Sequence, residues 1–427
     1  MRKAGLTLVA LLVSLVVSVP AFAVIGALDD VPAATLFLPN FEVDLNNPNG
    51  VTTLFTINNG SEAPAIAHVT LWTDLSVPTM TFDVYLTGFD VHTLNLRDLF
   101  NGFIPGTSHS NGAISPVGDF SLQTNPTSGV GPASTSCNGL LPVPPLPATF
   151  LAHVRAAHTG GPSTVFAGQC SGVNHGDNIA RGYITIDNMN QCTLAFPSDP
   201  GYFALNGTGL ANNLNQLWGD YFYVDSGNNF AQGFGMVHLE ASNTLNGSAN
   251  YTFYRRYSAN DQREGLPSTW ATRYANGGSF DGGSLLVVWR DSKRTIVPFA
   301  CAGPKPAPFP LGQTQVVVFD ESENPSIPAS QSPPFRWETN RTVVGGVDLP
   351  VANNFGWLYL NLNTAVSSSQ VPFEPAAQSY VSIVLSALGR FSVGYAALAL
   401  DNVTTAVLKK NVVLPTCDGA PDPAACP

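Results

Sequence analysis

Apolar and polar residues alternate in short runs along the chain, and turns rich in Gly, Asn and Pro separate the runs. In the run 81–86, Phe82, Val84 and Leu86 fall on one face of an extended chain, which is typical of a half-buried β-strand. The pattern predicts strands between residues 33 and 96 in the segments ATLFLPNFEVD, VTTLFTIN, AIAHVTLWTD, TFDVYLTG and VHTLNL. These strands are too few to close a sandwich, so we expect 182–187 and 221–240 to complete it.

The stretch 219–240 predicts a strand, a tight turn and a second strand, and the stretch 380–401 repeats its pattern. When the two are aligned without a gap, Phe230 falls on Phe391 and Gly233 falls on Gly394. Further blocks match in the same order: 182–187 with 356–361, 68–74 with 315–321, and 53–57 with 284–288. Blocks that match in one order indicate an internal repeat. We therefore predict an internal duplication of one β-domain.

The long region 101–178 is irregular and rich in Gly, Ser, Asn and Pro. Within it, residues 148–158 have apolar positions at helical spacing and are followed by Gly160 and Gly161, which predicts a short α-helix. The corresponding part of the second copy, 321–356, is much shorter. Loops on a rigid scaffold often carry function, but such an insertion can equally cover a sheet edge. Both interpretations are open.

The chain of 427 residues exceeds one ordinary domain, and its hydrophobic content of 44% is enough for two cores. Charged residues make up 11%, well under the usual value of about a quarter, which together with the many Gly and Pro residues is typical of an all-β extracellular protein. We predict an all-β fold of two tandem antiparallel β-sandwich domains, Ig-like or jelly-roll-like, at 24–260 and 261–427. The first domain contains the loop-rich insertion 101–178.

Residues 1–23 have the pattern of a secretory signal peptide. Arg2 and Lys3 supply the positive charge, 6–19 form a mostly apolar core, and 21–23 (AFA) form a cleavage site with small residues. The apolar core is shorter than the roughly 20 residues that a spanning helix needs, and no later run of about 18 apolar residues follows. The sequence therefore predicts a secreted or periplasmic protein that has no membrane span after cleavage.

The formal net charge of the chain is -11, and loss of Arg2 and Lys3 with the signal peptide would change it by two further units, to -13. A protein of this charge repels nucleic acid and anionic lipid. Nucleic-acid binding is therefore not expected.

The chain has an even number of cysteines, which in an exported protein predicts disulfides. They are Cys137, Cys170, Cys192, Cys301, Cys417 and Cys426. Proximity in the sequence favours Cys417 with Cys426 and Cys170 with Cys192, which leaves Cys137 for Cys301, but the other pairings stay open. There is no C-x-x-C pair and no His at zinc-ligand spacing, so a metal site is not predicted.

The segment 251–294 has an unusual charge pattern, because its arginines and one lysine outnumber its acidic residues and alternate with aromatic residues. Arginine beside aromatic rings can hold a carboxylate through a bidentate fork and a sugar face through stacking. We therefore select as candidate ligand contacts Tyr254, Arg255, Arg256, Tyr257, Arg263, Trp270 and Arg273. The alternative is that these arginines pair with acidic residues of the first domain across a polar domain junction.

The same segment contains TFYRRY at 252–257, which we predict to be a strand. Alternation along a strand would place Arg255 and Tyr257 on one face and Tyr254 and Arg256 on the other. Under the junction interpretation, at least one arginine is expected to be buried against acidic residues of the first domain.

Catalytic motifs are missing from the sequence. There is no G-x-S-x-G elbow in a strand-to-helix context and no HExxH, and the glutamates are scattered. His153 and His158 lie about 140° apart on a helix, so they cannot share a metal, and we expect both at the surface. The loop 225–229 (DSGNN) is interpreted as a hairpin loop rather than as a calcium site. No metal or cofactor is predicted.

The signal peptide and residues such as LWGDYFYVD at 217–225 resemble secreted bacterial all-β proteins of unassigned function. The resemblance implies export and carries no mechanism. We predict a non-enzymatic structural or binding protein of the cell envelope, whose partner would be an envelope glycan or another envelope protein. The alternative is a carbohydrate-active hydrolase or lyase with its site on the aromatic and arginine-rich segment 251–294.

Overall fold

The structure is a computed structural model. It describes residues 30–103, 146–245, 247, 252–291, 296–303, 306, 315–328, 334–362 and 378–400. The predicted signal peptide 1–23 lies outside the described residues, as do Cys137, Cys417 and Cys426.

The regular secondary structure of the described chain is mostly β-strand, with two short α-helices. The strands of the first half are β1 (Thr35–Asp44), β2 (Thr52–Asn59), β3 (Ala65–Thr73), β4 (Pro78–Leu86), β5 (Val91–Asn95), β6 (Ile179–Asn188), β7 (Leu217–Trp218), β8 (Asp220–Asp225), β9 (Phe230–Gly235) and β10 (Val237–Leu239). The helices are α1 (Leu96–Phe100) and α2 (Ala148–His158). The strands of the second half are β11 (Thr269–Ala275), β12 (Gly283–Arg290), β13 (Gln315–Asp320), β14 (Pro325–Ser326), β15 (Thr339–Val343), β16 (Phe355–Asn361), β17 (Ser379–Ala387), β18 (Phe391–Ala396) and β19 (Leu398–Ala399).

The strands form four antiparallel sheets. Sheet 1 has the order β10-β1-β6-β3-β4, and sheet 2 has the order β5-β2-β8-β9 with β7 paired to β2. Sheet 3 has the order β19-β11-β16-β13-β14, and sheet 4 has the order β15-β12-β17-β18. Sheets 1 and 2 share one hydrophobic core, and sheets 3 and 4 contribute to a second. The prediction of an all-β fold with antiparallel β-sandwich domains is confirmed.

The two halves have the same strand order. Taken in chain order, β1 to β6 and β8 to β10 occupy the sheet positions that β11 to β19 occupy in the other half. Tyr183 on β6 and Trp357 on β16 are both on the central strand of a five-stranded sheet, as the matched blocks predict. The shared order is what a duplication would produce, but the duplication itself stays a hypothesis.

A cross-strand aromatic pair occurs at the same place in each half. Trp72 on β3 stacks on Tyr183, with ring centroids 5.7 Å apart, and Phe319 on β13 stacks on Trp357 at 3.9 Å. A glycine precedes Tyr183 and Trp357 on their strands, and a Cβ at Gly182 or Gly356 would lie 2.0 Å from the carbonyl oxygen of Trp72 or Phe319. Glycine is therefore required for the close approach of these strands.

The outer face of sheet 1 is covered by the second half of the chain. Phe37 on β1 lies 4.9 Å from the ring of Trp289 on β12 and 5.2 Å from that of Phe253. Polar contacts extend this junction, because Arg341 is ion-paired with Glu42. Sheet 1 is thus packed on both of its faces.

This double packing corrects the expectation that the strand at 81–86 is half-buried. All residues from 79 to 86 are buried, including Asp83 on the face opposite to Phe82. The Asp83 carboxylate accepts a hydrogen bond from the Thr193 backbone at 2.9 Å and contacts His68 at 2.7 Å. A strand with alternating apolar and polar residues can therefore be buried on both faces when other parts of the chain supply hydrogen-bonding partners for its polar side chains.

The helix predicted at 148–158 is present as α2. It packs on β4, which is the edge strand of sheet 1, and on β6. His158 contacts the Thr79 hydroxyl at 2.8 Å, and His153 contacts the Thr79 carbonyl at 3.3 Å. The expectation that both histidines lie at the surface is wrong, since each is only 2% exposed.

The predicted pairings of Cys170 with Cys192 and of Cys137 with Cys301 are wrong, whereas the pairing of Cys417 with Cys426 lies outside the described residues. Cys170 pairs with Cys301, and Cys192 is likewise in a disulfide. The Cys170–Cys301 bond joins the insertion in the first half to the segment 296–303. Its half-cystines are 131 positions apart in sequence, so proximity along the chain is a poor guide to this pairing.

Candidate functional site

The segment 252–257 forms a series of turns, so its prediction as a strand is wrong. The backbone N–H of Tyr257 donates to the carbonyl of Tyr254 at 2.8 Å, and that of Arg255 donates to the carbonyl of Thr252 at 3.2 Å. Strand alternation therefore does not determine where these side chains point.

Arg256 lies in the junction between the halves, with 5% of its side chain exposed. Its guanidinium pairs with Glu338 and approaches Asp291 at 3.4 Å. It also donates to the hydroxyls of Ser76 at 3.1 Å and Tyr183 at 3.3 Å in the first half. Burial by itself would lower the pKa of Arg256, but Glu338, Asp291 and the neighbouring tyrosines together outweigh this effect and raise the pKa.

Arg263 is buried against an acidic residue of the first half, as the junction interpretation expects. Its Nε lies 4.0 Å from Asp187 and donates to Thr35 at 3.0 Å. Asp187 in turn accepts hydrogen bonds from the hydroxyls of Tyr202 at 2.7 Å and Tyr254 at 3.0 Å. These contacts form a buried polar network within the junction.

Asp261 belongs to the same network. It accepts hydrogen bonds from the backbone N–H groups of Tyr254 at 2.8 Å and Arg263 at 3.2 Å. Burial raises the pKa of Asp261 to about 6, although Arg263 and these N–H groups oppose the shift. The network is enclosed, so a ligand cannot reach it without opening the junction.

The remaining candidate residues differ in their exposure to solvent. Trp270 is fully buried and donates to the Ser379 hydroxyl at 2.9 Å, and Arg255 and Tyr257 are partly exposed. Arg273 on β11 is open to solvent, with 69% of its side chain exposed, and it pairs with Glu321 at 2.9 Å. Of the selected arginines, Arg273 is therefore the most accessible to a ligand.

Arg273 lines a groove of about 930 Å³ at which edge strands of all four sheets meet. The described lining consists of 233–237, 271–273 and 394–399, together with Asp30, Trp357 and Tyr380. Most of these residues come from the edge strands β9, β10, β18 and β19 and from β11, while Trp357 lies on β16, Tyr380 on β17 and Asp30 ahead of β1. Most are small or apolar, so the groove has the composition of a binding cleft with few polar groups.

Arg273 and Trp357 are partners across β11 and β16, and Trp357 and Phe319 are partners across β16 and β13. The three side chains therefore form a row on the outer face of sheet 3. Phe319 covers one face of the Trp357 ring, and the rest of this partly exposed side chain borders the groove beside Arg273. Further along this outer face, Val317 and Tyr359 are buried, so the open part is the end at Trp357.

Tyr395 and Tyr380 provide two further aromatic rings. Tyr395 is 38% exposed, and its hydroxyl donates to the carbonyl of Arg273 at 3.4 Å. Tyr380 is buried in the groove floor, and burial together with the charge of Asp30 raises its pKa. The groove thus combines aromatic rings with a cation and a carboxylate.

Three groove residues, Trp357, Tyr395 and Asp30, are missing from the sequence prediction. They lie on separate parts of the chain, and none is in the cationic segment. The sequence signal that could have pointed to Trp357 was the internal repeat. The match of Tyr183 with Trp357 predicts that Trp357 lies on a central strand, beside residues of the neighbouring strands of sheet 3.

The buried histidines do not form an accessible catalytic group. His153 contacts the Ser163 hydroxyl at 2.6 Å, but both residues are 2% exposed. His68 contacts Asp83 in the core; burial would lower the pKa of His68, but the charge and hydrogen bond of Asp83, together with Asp187 and the Ala195 carbonyl, raise it. Among the described residues no group of His, Cys, Asp and Glu has the arrangement of a metal site.

The loop at 225–229 is held by its own side chains. Asp225 accepts hydrogen bonds from the backbone N–H of Asn228 at 3.2 Å and from its amide at 2.8 Å. The adjacent turn at 44–51 is held by Arg97 of helix α1. Its guanidinium donates to the carbonyls of Asp44, Asn47, Gly50 and Val51 at 2.7 to 3.0 Å. A guanidinium therefore binds a set of carbonyl oxygens of the kind that could otherwise ligate a cation.

No family model, curated protein or solved structure matches this chain. Within the described ranges, every helix is too short or too polar to cross a bilayer.

Proposed function

We propose that the protein is a secreted or periplasmic binding protein of the cell envelope, without catalytic activity, and that the groove at the meeting point of the sheets is its ligand surface. The observation that carries this proposal is the exposed Arg273 beside the partly exposed Trp357 in a groove of about 930 Å³. The buried candidates Arg256 and Arg263 have carboxylate partners in the junction, whereas the pair of Arg273 and Glu321 faces solvent.

The pattern of residues 1–23 and the Cys170–Cys301 disulfide support the extracytoplasmic location, since disulfides persist in oxidising compartments. The alternative of a glycoside hydrolase finds less support at the groove. Asp30 is the acidic residue among the described lining residues, whereas such enzymes use a pair of carboxyl groups that flank the scissile bond.

The test is a thermal-shift measurement, because a molecule that binds only the folded state raises its unfolding midpoint. The panel contains the neutral hexasaccharides cellohexaose and fully N-acetylated chitohexaose (chitohexaose below), cellohexaose oxidised to the carboxylate at C6, and an uncharged Ser/Thr decapeptide. The variants are Arg273→Ala, Trp357→Ala and, as a matched control, Arg336→Ala. Arg336 forms an exposed pair with Asp348 at 2.9 Å, the same distance as in the pair of Arg273 with Glu321.

We expect at least one panel member to raise the midpoint of the wild type and of Arg336→Ala, and this shift to be lost in Trp357→Ala. The proposal fails if no panel member shifts the midpoint of the wild type, or if the shift in both Arg273→Ala and Trp357→Ala is as large as in the wild type. Turnover of the bound saccharide would contradict the non-enzymatic part of the proposal.

A further inference from the structure

The chemistry of the groove narrows its ligand class. We propose that the ligand is an uncharged glycan chain, which binds with one sugar ring against Trp357 and with its hydroxyls between Arg273 and Glu321. This inference rests on the proposed function of the groove as a ligand surface.

Aromatic rings at the groove supply flat apolar surfaces. An aromatic face carries partial negative charge, so the polarised C–H groups of a sugar ring pack favourably against it. In the first half, the pair formed by Trp72 and Tyr183 is covered by the flat ring of Tyr257, which stacks on Trp72 with centroids 5.5 Å apart. In the second half, Phe319 and Trp357 are both partly exposed. The exposed aromatic surface of this second pair is therefore available to a flat ring of a ligand.

The rim of the groove offers both kinds of hydrogen-bonding group. Arg273 carries only donors and Glu321 only acceptors, whereas a sugar hydroxyl is both a donor and an acceptor. The two side chains are 69% and 56% exposed, and an exposed ion pair contributes only about 0–1 kcal/mol. Hydroxyl groups can therefore insert at this pair at little cost and satisfy both partners.

Charge disfavours an acidic ligand. The cation Arg273 is accompanied by Asp30 in the lining and by Glu321 at the rim, and the whole chain has a net charge of -11. A carboxylated glycan would have to compete with Glu321 for the guanidinium and would approach a negative protein. An uncharged glycan neither competes with Glu321 for the guanidinium nor is repelled by the negative protein.

Part of the main chain at the groove is already hydrogen-bonded within the protein, which leaves fewer groups for a peptide strand. A peptide that extends a sheet needs free backbone groups at the edge. The N–H of Met236 donates to the carbonyl of Gly219 at 3.0 Å, and that of Ala397 donates to the carbonyl of Val381 at 2.9 Å. The carbonyl of Gly233 accepts from the Gln232 side chain at 2.9 Å. These groups are already used within the protein.

Isothermal titration calorimetry of the intact mature protein tests the inference with cellohexaose, chitohexaose, C6-oxidised cellohexaose and the Ser/Thr decapeptide. We expect a neutral hexasaccharide to bind at least about tenfold more tightly than the oxidised one, a difference of about 1.4 kcal/mol. Trp357→Ala should weaken neutral-glycan binding by about tenfold. Trp357→Phe should retain most of it, because Phe preserves an aromatic face, and Arg336→Ala should have wild-type affinity.

Tighter binding of the oxidised hexasaccharide or of the decapeptide, lost in Trp357→Ala, would overturn the inference and leave the groove as the ligand surface. Equal binding of a neutral hexasaccharide by wild type and Trp357→Ala would place the glycan elsewhere and also overturn it. If none of the four probes binds, the proposed function fails together with the inference.

Discussion

Trp357 occupies in the second half the sheet position that Tyr183 occupies in the first, but the two rings have opposite surroundings. Tyr183 is 2% exposed. Trp289, which belongs to the second half, packs edge-on against it with ring centroids 5.8 Å apart. Trp357 is partly exposed and lines the groove. The second half therefore covers the outer face of sheet 1, while part of the outer face of sheet 3 stays open.

The stacked pair of Phe319 and Trp357 depends on a glycine, so Gly356→Ala should destabilise the fold. The new Cβ would meet the carbonyl of Phe319 at 2.0 Å, and overpacking of this kind costs about 1–3 kcal/mol. Gly161→Ala is the control, because its Cβ would be 3.6 Å or more from its neighbours, and we expect a change within about 1 kcal/mol. Urea unfolding measures both variants. Equal stability of Gly356→Ala and wild type would show that the strands separate without strain.

Arg256→Ala should be strongly destabilising, because it leaves the carboxylates of Glu338 and Asp291 buried without their cation. Removal of one partner of a buried pair costs about 3–5 kcal/mol. Arg336→Ala should change stability by about 0.5 kcal/mol or less, since its pair with Asp348 is about half exposed. The measurement is thermal unfolding of both variants beside wild type. An unchanged midpoint for Arg256→Ala would contradict the structural role of this arginine at the junction.

Acid should destabilise the protein in part through His92, which is 9% exposed. Burial lowers the pKa of His92 to about 4, against an ordinary value of 6.5, although Asp90 opposes the shift. Between these two values the unfolded state binds the proton and the folded state does not, so stability is full above about pH 6.5 and is lost as the pH falls towards 4. The loss for this shift is about 3 kcal/mol.

His92→Phe should remove that contribution. Chemical denaturation at pH 7 and at pH 4 should therefore show a loss of stability about 3 kcal/mol smaller in the variant than in wild type. Part of the acid sensitivity will persist, because burial also lowers the pKa of His158 to about 4. An identical pH dependence in variant and wild type would show that His92 is accessible to solvent protons in the folded state.

The six cysteines should contain no free thiol, since the chain is predicted to be exported and the described cysteines are in disulfides. Thiol titration of the denatured, unreduced protein should read near zero; a reading of two or more thiols per chain would contradict this. The double variant Cys170→Ser/Cys301→Ser should be less stable by about 2–4 kcal/mol, because the bond closes a long loop.

Local sequence patterns were sufficient for most strands of the first half and for helix α2. Alternation and turn residues locate most strands of the first half, and 3.6-residue spacing with a glycine stop locates Ala148–His158. The matched blocks also placed Tyr183 and Trp357 on strands at the same sheet position. These features depend on residues that are close in sequence or on comparison of one half with the other.

Features set by tertiary contacts could not be read in this way. The turns at 252–257 insert Arg256 and Tyr257 between the halves, and that environment overrides the alternation that indicated a strand. Asp83 and His158 are buried because later segments cover them with hydrogen-bonding partners. The groove is assembled from Asp30, Arg273 and Trp357, which are distant in sequence, so only Arg273 was recognised as a candidate.

The claim that the groove is the ligand surface is tested most directly by hydrogen exchange with mass spectrometry, with and without a saturating concentration of the panel member that raises the unfolding midpoint. The account predicts slower exchange at 233–237 and 394–399, which line the groove, and no change in strand β5 at 91–95, which is at the far edge of sheet 2. The protection should disappear in Trp357→Ala. Protection confined to other segments, or the same protection in Trp357→Ala, would contradict the claim.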